Sequence, residues 1–345
     1  MIKMKLNAIG IIFISLLATA SVAYAGCSCS VGNWDPSAFL NSEDGTGHSE
    51  QHSSSGDSAV GDSGSGTQKP VDRVSSFPNR ELFKGLKSVS SSDVVIDVSN
   101  SDSYSASHIK NAIHIPSNDL LNSEGRLKAA DELSGVFGNA GLSREDSVVL
   151  YADKESSGEA EFVYLVLRYL GQKDVRLLDG NLADWKAAGL PEEASDNILP
   201  AKEYKPSLRP EVIADYQYVK SGKAHIIDVR PFVDFGKGRI PGSIALDPSN
   251  VIRGDKIKTS NGLSTVFSRL DKEKPIVVYS DDYSRSALAA FALLLMGYNA
   301  SIYSWEDWKA NEEVVEKAGA ANTQTGTTPA AGDAAGSRYT KLGTT

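Results

Sequence analysis

The residues of this chain best suited to chemistry lie in the stretch Ile276-Val277-Val278-Tyr279-Ser280-Asp281-Asp282-Tyr283-Ser284-Arg285-Ser286. Ser280 offers a hydroxyl nucleophile. A serine needs a base and an oriented third group, and no base stands beside it. His108, His114 and His225 fall in strands or turns and form no triad that spacing reveals. Arg285 offers a guanidinium that suits an oxyanion. Its competing role is a salt bridge to Asp281, Asp282 or Asp228. Asp281 and Asp282 would each oppose an anionic substrate by about 1 kcal/mol at partly exposed distances. A second group is Cys27 and Cys29, the only cysteines, with His48 and His52. Cys-x-Cys is a poor match to zinc spacing, and the surroundings carry no helix signal. No metal and no cofactor are expected.

The β-branched run before Ser280 reads as a buried strand, and the apolar stretch after Arg285 as a helix. Ser280 to Ser286 would then form a binding loop that feeds a helix N-terminus. The same grammar occurs twice. Val94-Val95-Ile96-Asp97-Val98 matches Ile226-Ile227-Asp228-Val229, and His108-Ile109-Lys110-Asn111-Ala112-Ile113 matches Arg239-Ile240-Pro241-Gly242-Ser243-Ile244. Val148-Val149-Leu150-Tyr151 matches Ile276-Val277-Val278-Tyr279, and Asp184-Trp185 matches Asp307-Trp308. Such self-similarity marks a duplicated unit. Short β-branched runs alternate with helical patterns, which favours βα units around a parallel sheet covered on both faces. Phe162, Leu165, Val166, Tyr169 and Leu170 form one apolar stripe. Leu288, Phe291, Ala292, Leu295 and Met296 form its counterpart. Gly171 and Gly297 stand where helix C-caps belong. Pro200, Pro206 and Pro210 mark the connection between the copies.

The chain has 345 residues and a formal net charge of -9, so a basic nucleic-acid-binding face is not expected. Residues 1–25 read as a signal peptide: Lys3 and Lys5, an apolar run, then Ala23-Tyr24-Ala25 as a cleavage site. Ala25-Gly26-Cys27 resembles a bacterial lipoprotein signal, with Tyr24 where that motif usually has Leu. Cys27 is therefore the lipidation candidate, and a diacylated cysteine would supply the two chains that stable anchoring needs. Residues 26–75 read as a Ser/Gly-rich linker and residues 318–345 as a disordered tail.

The doubled motifs resemble tandem rhodanese domains, the architecture of thiosulfate and 3-mercaptopyruvate sulfurtransferases. The carriers are the Asp97-Val98 and Asp228-Val229-Arg230 strand ends, the His108-Ile109 and Arg239-Ile240-Pro241-Gly242 turns, Leu178-Asp179-Gly180 and the Asp-Trp pairs. The resemblance implies an α/β fold of two domains, over residues 76–200 and 209–317, each a small parallel sheet flanked by helices on both faces. It also implies a cysteine directly after the Tyr strand, opening a Cys-x-x-Gly-x-Arg loop. Backbone N–H groups and the helix end would lower that thiol's pKa.

This chain departs from that pattern. Ala152 and Ser280 stand at the two cysteine positions, and a serine hydroxyl cannot form a persulfide. Tyr283 stands where the family has Gly, at a loop position that favours positive φ. Copy one has no Arg in its loop. Asp97 and Asp228 are expected to brace the loops by hydrogen bonds rather than act as acids. Trp185, Trp305 and Trp308 are expected in core or interface packing rather than as a ligand platform. The expectation is an exported protein of the periplasm or cell envelope, binding an envelope protein or a small anion without sulfur transfer. The alternative is an active sulfurtransferase or chalcogen-oxyanion enzyme that takes its thiol from Cys29 or from a partner.

Overall fold

The valine and isoleucine runs form the centres of two parallel sheets. A computed structural model describes residues 73–313. Cys27, Cys29, His48, His52, the leader, most of the linker and the tail lie outside the described residues. Copy one contains β1 (Phe83–Lys84), β2 (Asp93–Asp97), α1 (Ser101–Ala106), β3 (His108–Ile109) and β4 (Ile113–His114). It continues with α2 (Ala130–Asn139), β5 (Ser147–Tyr151), α3 (Glu159–Tyr169), β6 (Asp174–Leu178), α4 (Leu182–Ala187) and β7 (Glu192–Glu193). Its sheet runs β1-β6-β5-β2-β4, with every neighbouring pair parallel.

Copy two contains α5 (Tyr216–Lys220), β8 (His225–Asp228), α6 (Phe232–Lys237), β9 (Ile244–Ala245), and the hairpin β10 (Ile252–Arg253) with β11 (Lys256–Ile257). Then follow α7 (Ser260–Val266), β12 (Ile276–Ser280), α8 (Tyr283–Leu295) and β13 (Ala300–Ser304). A closing helix, α9, covers 305–313. Its sheet runs β13-β12-β8-β9, again parallel throughout. The α/β architecture of two helix-flanked parallel sheets is the one the duplicated motifs imply.

Alternation along each strand separates two apolar layers. In copy two, Ile276 and Val278 join Ile227 in the layer under α7 and α8. Val277 and Tyr279 face Tyr216, Val219 and Trp308 on the other side. In copy one, Val148 and Leu150 face α2 and α3, while Val149 and Tyr151 face Trp185 and Ile109.

The apolar stripes understate the burial of the two central helices. Ala160 through Leu167 are all buried in α3, and Ser286 through Leu293 in α8. A helix buried on every side must be covered on every side. Each helix packs on its own sheet and also against the other, with Tyr164 edge-on to Phe291 at 5.1 Å between ring centroids. One continuous core therefore spans both copies. Gly158 allows the close approach: its φ is +75°, and a Cβ there would lie 2.2 Å from the Ser284 carbonyl.

Candidate functional site

The site of copy two begins where β12 ends. Ser280 is its last residue and is 3% exposed. Its hydroxyl donates to Asp281 Oδ1 at 3.0 Å and accepts from the Asp282 amide at 3.2 Å. Asp282 is the N-cap of α8. Its Oδ1 accepts the amides of Ser284 at 2.9 Å and Arg285 at 3.4 Å. Those amides are the unsatisfied donors of a helix start, which would otherwise face an anion. Arg285 Nη1 donates to Asp281 Oδ1 at 3.0 Å and approaches Ser280 Oγ at 3.4 Å. The loop's own carboxylates thus occupy both the helix end and the arginine.

The expected binding loop is shorter than its residue span. Tyr283, Ser284, Arg285 and Ser286 form the first turn of α8, not a loop. Tyr283 therefore needs no positive φ, and among the described residues Asn111 is the only non-glycine that adopts one. The reason is the Asp282 cap, which starts the helix directly after the strand. The Tyr283 ring turns away from Ser280. It stacks on Phe162 at 5.3 Å, and its hydroxyl accepts the Leu127 amide at 3.4 Å. Ser286 donates back to the Tyr283 carbonyl at 2.9 Å. Of the six residues after Ser280, only Asp281 and Arg285 direct side-chain groups to the serine's side chain, and Asp282 adds its backbone amide.

The floor beside Ser280 is built from β8. Asp228 is fully buried. Its Oδ1 accepts the Arg230 amide at 2.9 Å, and its Oδ2 accepts Arg230 Nη2 at 2.6 Å and the Tyr279 hydroxyl at 2.5 Å. The same hydroxyl accepts the Ile240 amide at 3.1 Å, tying β8, β12 and the turn after α6 together. Burial, with the Asp228 bond added, pushes the Tyr279 hydroxyl up to about 12. The Trp305 ring covers the Arg230 guanidinium at 3.7 Å, a cation–π contact.

These residues open into a cleft of about 290 Å³ lined by Arg230, Asp234, Lys237, Asp281, Trp305 and Lys309, among others. Its lysines are paired: Lys237 with Asp234 at 2.9 Å, and Lys309 with Glu306 at 2.8 Å. Trp305 packs as expected, stacked on Tyr279 at 5.8 Å, and also lines the cleft; Arg230, Lys237 and Lys309 were not among the expected site residues. The Asp-Val-Arg strand end was the available signal for Arg230. The lysines sit on two helices that only the fold brings together.

Copy one closes the same place differently. Ala152 follows β5 and is buried. Glu155 turns inward, and its Oε1 accepts Arg73 Nη1 at 2.8 Å and the Ile257 amide of β11 at 3.0 Å. Arg73 Nη2 also reaches Asp179 at 2.6 Å. Burial pushes the Glu155 carboxyl up, against the opposing pull of Arg73. The hairpin of copy two seals the rim: Ser156 Oγ donates to Asp255 at 2.5 Å, and Lys256 pairs with Asp184 at 2.9 Å. Asp97 accepts the Ser99 amide at 2.9 Å, with Ser99 standing where copy two has Arg230.

Among the described residues no His, Cys, Asp and Glu group could hold a metal ion. No helix among them is long and apolar enough to cross a membrane.

Comparison with known proteins agrees with this geometry. The rhodanese-like domain pattern matches residues 81–188 and 216–311, and the chain belongs to that family. It is 28% identical over 209 residues to the sulfur carrier protein TtuD of Thermus thermophilus, covering 52% of this chain and 73% of that one. It is 29% identical over 244 residues to the thiosulfate sulfurtransferase of Corynebacterium glutamicum, covering 61% and 80%. The crystal structure of SseA from Escherichia coli, a 3-mercaptopyruvate sulfurtransferase, shares the fold. Its TM-score is 0.59 at 22% identity, over 65% of this chain and 98% of that one.

Proposed function

We propose that this chain is an exported rhodanese-like protein that does not itself transfer sulfur and acts by binding. The observation behind this reading is the state of the cradle beside Ser280. A serine stands where the resemblance places the sulfur-bearing cysteine, the helix-end amides are capped by Asp282, and Arg285 is held by Asp281. A free anion would have to displace two carboxylates from their own chain. The reading therefore favours a partner protein at the envelope over a small anion. Export and a lipid anchor on Cys27 complete the proposal, and mass spectrometry of the mature N-terminus distinguishes a lipidated Cys27 from a free Gly26.

The test is turnover of the purified full chain with thiosulfate or 3-mercaptopyruvate as donor and cyanide as acceptor. No turnover above background is expected. Turnover at enzyme rates that disappears in Ser280→Ala would overturn the reading. The names of the relatives favour a second reading, sulfur transfer with a thiol from Cys29 or a partner. Its Cys29 form predicts loss of activity in Cys29→Ser with the fold retained.

A further inference from the structure

The two copies treat one address on the outer face of the sheet in opposite ways. In copy one the chain folds back over it. Helix α4 stops at Gly189, whose φ of +70° reverses the chain. Leu190 then packs on the layer formed by Ile109, Ala112 and Trp185. The Pro191 carbonyl accepts Trp185 Nε1 at 2.8 Å and the Lys110 amide at 3.2 Å. Glu192 and Glu193 follow as β7, antiparallel to β3.

In copy two the described residues, which end at 313, make no such return. Trp308 corresponds to Trp185, and four residues on Glu312 replaces Gly189. Helix α9 therefore continues through 313, and Glu313, not an apolar residue, stands at the position of Leu190. Among the described residues the address is an open cavity of about 420 Å³. Its apolar wall includes Ile226, Ile240 and Trp308, the counterparts of Val95, Ile109 and Trp185. Its polar rim includes Lys220, His225, Lys274 and Glu312, with Lys220 paired to Glu312.

Three groups there lack the partners that copy one supplies or that a ligand would supply. Trp308 Nε1 finds no acceptor among the described residues, whereas Trp185 Nε1 has the Pro191 carbonyl. His225 Nε2 is buried with no hydrogen-bond partner. Lys274 has no salt bridge among the described residues, while Lys220 is shared between Glu312 and the Tyr216 hydroxyl. The cavity therefore presents an apolar slot, an indole N–H donor placed for a main-chain carbonyl, and the ammonium of Lys274 at its edge.

We propose that this cavity captures an extended segment of a partner protein that carries a Leu-sized apolar residue followed by acidic residues, the chemistry of Leu190-Pro191-Glu192-Glu193 in copy one. The apolar side chain fills the slot against Trp308 and Ile240. A carbonyl of the segment accepts the Trp308 indole N–H, and the acidic residues meet Lys274. This is recognition by an extended peptide with main-chain contacts for affinity and a pocket for specificity. The cavity shares no lining residue with the cleft beside Ser280, so the proposal stands or falls independently of whether that cradle is catalytic.

The probe is a fluorescein-labelled peptide of residues 187–196, titrated with the full chain and followed by anisotropy. Saturable binding is expected, strengthened at low salt because the charged contacts are exposed. Lys274→Glu, a rim change that leaves the core alone, should weaken binding by about tenfold or more, as should Trp308→Phe, on the scale of a lost interface anchor. A peptide carrying Leu190→Asp should not bind. Absence of saturation, or equal binding by Lys274→Glu and by the Leu190→Asp peptide, would overturn the proposal. So would a photo-crosslinker at Lys220 that captures residues beyond Glu313 of the same chain, because the occupant would then be internal.

Discussion

After β5, Glu155 is buried and held from two sides, by Arg73 and by the Ile257 amide of the other copy. After β12, Asp281 and Asp282 remain exposed and are held by residues within the same helix turn. Both loops direct a carboxylate into a place whose geometry suits an anion. In copy one that carboxylate has become part of the joint between the copies. In copy two it is a local cap that leaves the cleft under Trp305 open. The difference separates a loop built into the joint between the copies from a loop that stays at the surface.

The sharpest way to break this contrast is to remove the arginine that holds each loop's carboxylate. Arg73→Met leaves Glu155 buried with only a backbone donor. It should cost about 3–5 kcal/mol in urea unfolding, the usual effect of breaking a buried pair. Arg285→Ala, whose partner Asp281 is 45% exposed, should cost no more than about 1 kcal/mol. Equal losses would mean that the loops do not differ in the way described.

The paired tyrosines sharpen the contrast further. Tyr151→Phe and Tyr279→Phe each remove a hydroxyl that accepts a backbone amide, from Ile109 and Ile240 respectively. Each should cost about 1–3 kcal/mol. The loss should be greater for Tyr151, because Asp228 keeps Arg230 whereas Asp97 has no such arginine, its counterpart being Ser99. Urea midpoints of the two variants give the order.

Glu161 tests the joint itself. It is buried on α3 with neither carboxylate oxygen hydrogen-bonded, and burial raises its carboxyl well above the ordinary range. The folded chain then binds that proton more tightly than the unfolded chain. Its contribution to stability is therefore intact below the ordinary glutamate range and falls as pH rises toward the raised value. Glu161→Gln should gain about 1–3 kcal/mol over the parent at pH 8 and little at pH 4. Urea titrations at the two pH values check the sign. The smallest effect belongs to Asp281→Ala, which should leave stability within about 1 kcal/mol.

Much of the fold was legible because it rests on local signals repeated twice. The valine and isoleucine runs, the Tyr-ended strands and the glycines at 171 and 297 all act within a few residues of themselves. The helical stripes located α3 and α8 but not their full burial, since that depends on each helix meeting the other. The site was legible in its residues and less so in its conformation. Tyr283 and Ser286 looked like loop residues because the resemblance supplied a glycine-bearing loop; the Asp282 cap starts the helix instead. The Glu155–Ile257 bond joins residues 102 apart in sequence, and no local pattern announces it. Arg230, Lys237 and Lys309 converge from a strand end and two helices, so only their packing defines the cleft.

The most direct test asks whether sulfur is all that copy two lacks. Ser280→Cys places a thiol at the end of β12 while Asp281 and Asp282 keep the arginine and the helix end occupied. Thiosulfate- and mercaptopyruvate-dependent thiocyanate formation by this variant should stay at background, with stability close to the parent. Turnover in the ordinary enzyme range of about 1–1,000 s⁻¹ by Ser280→Cys alone would contradict the account, because the cradle would then be intact and only the atom missing.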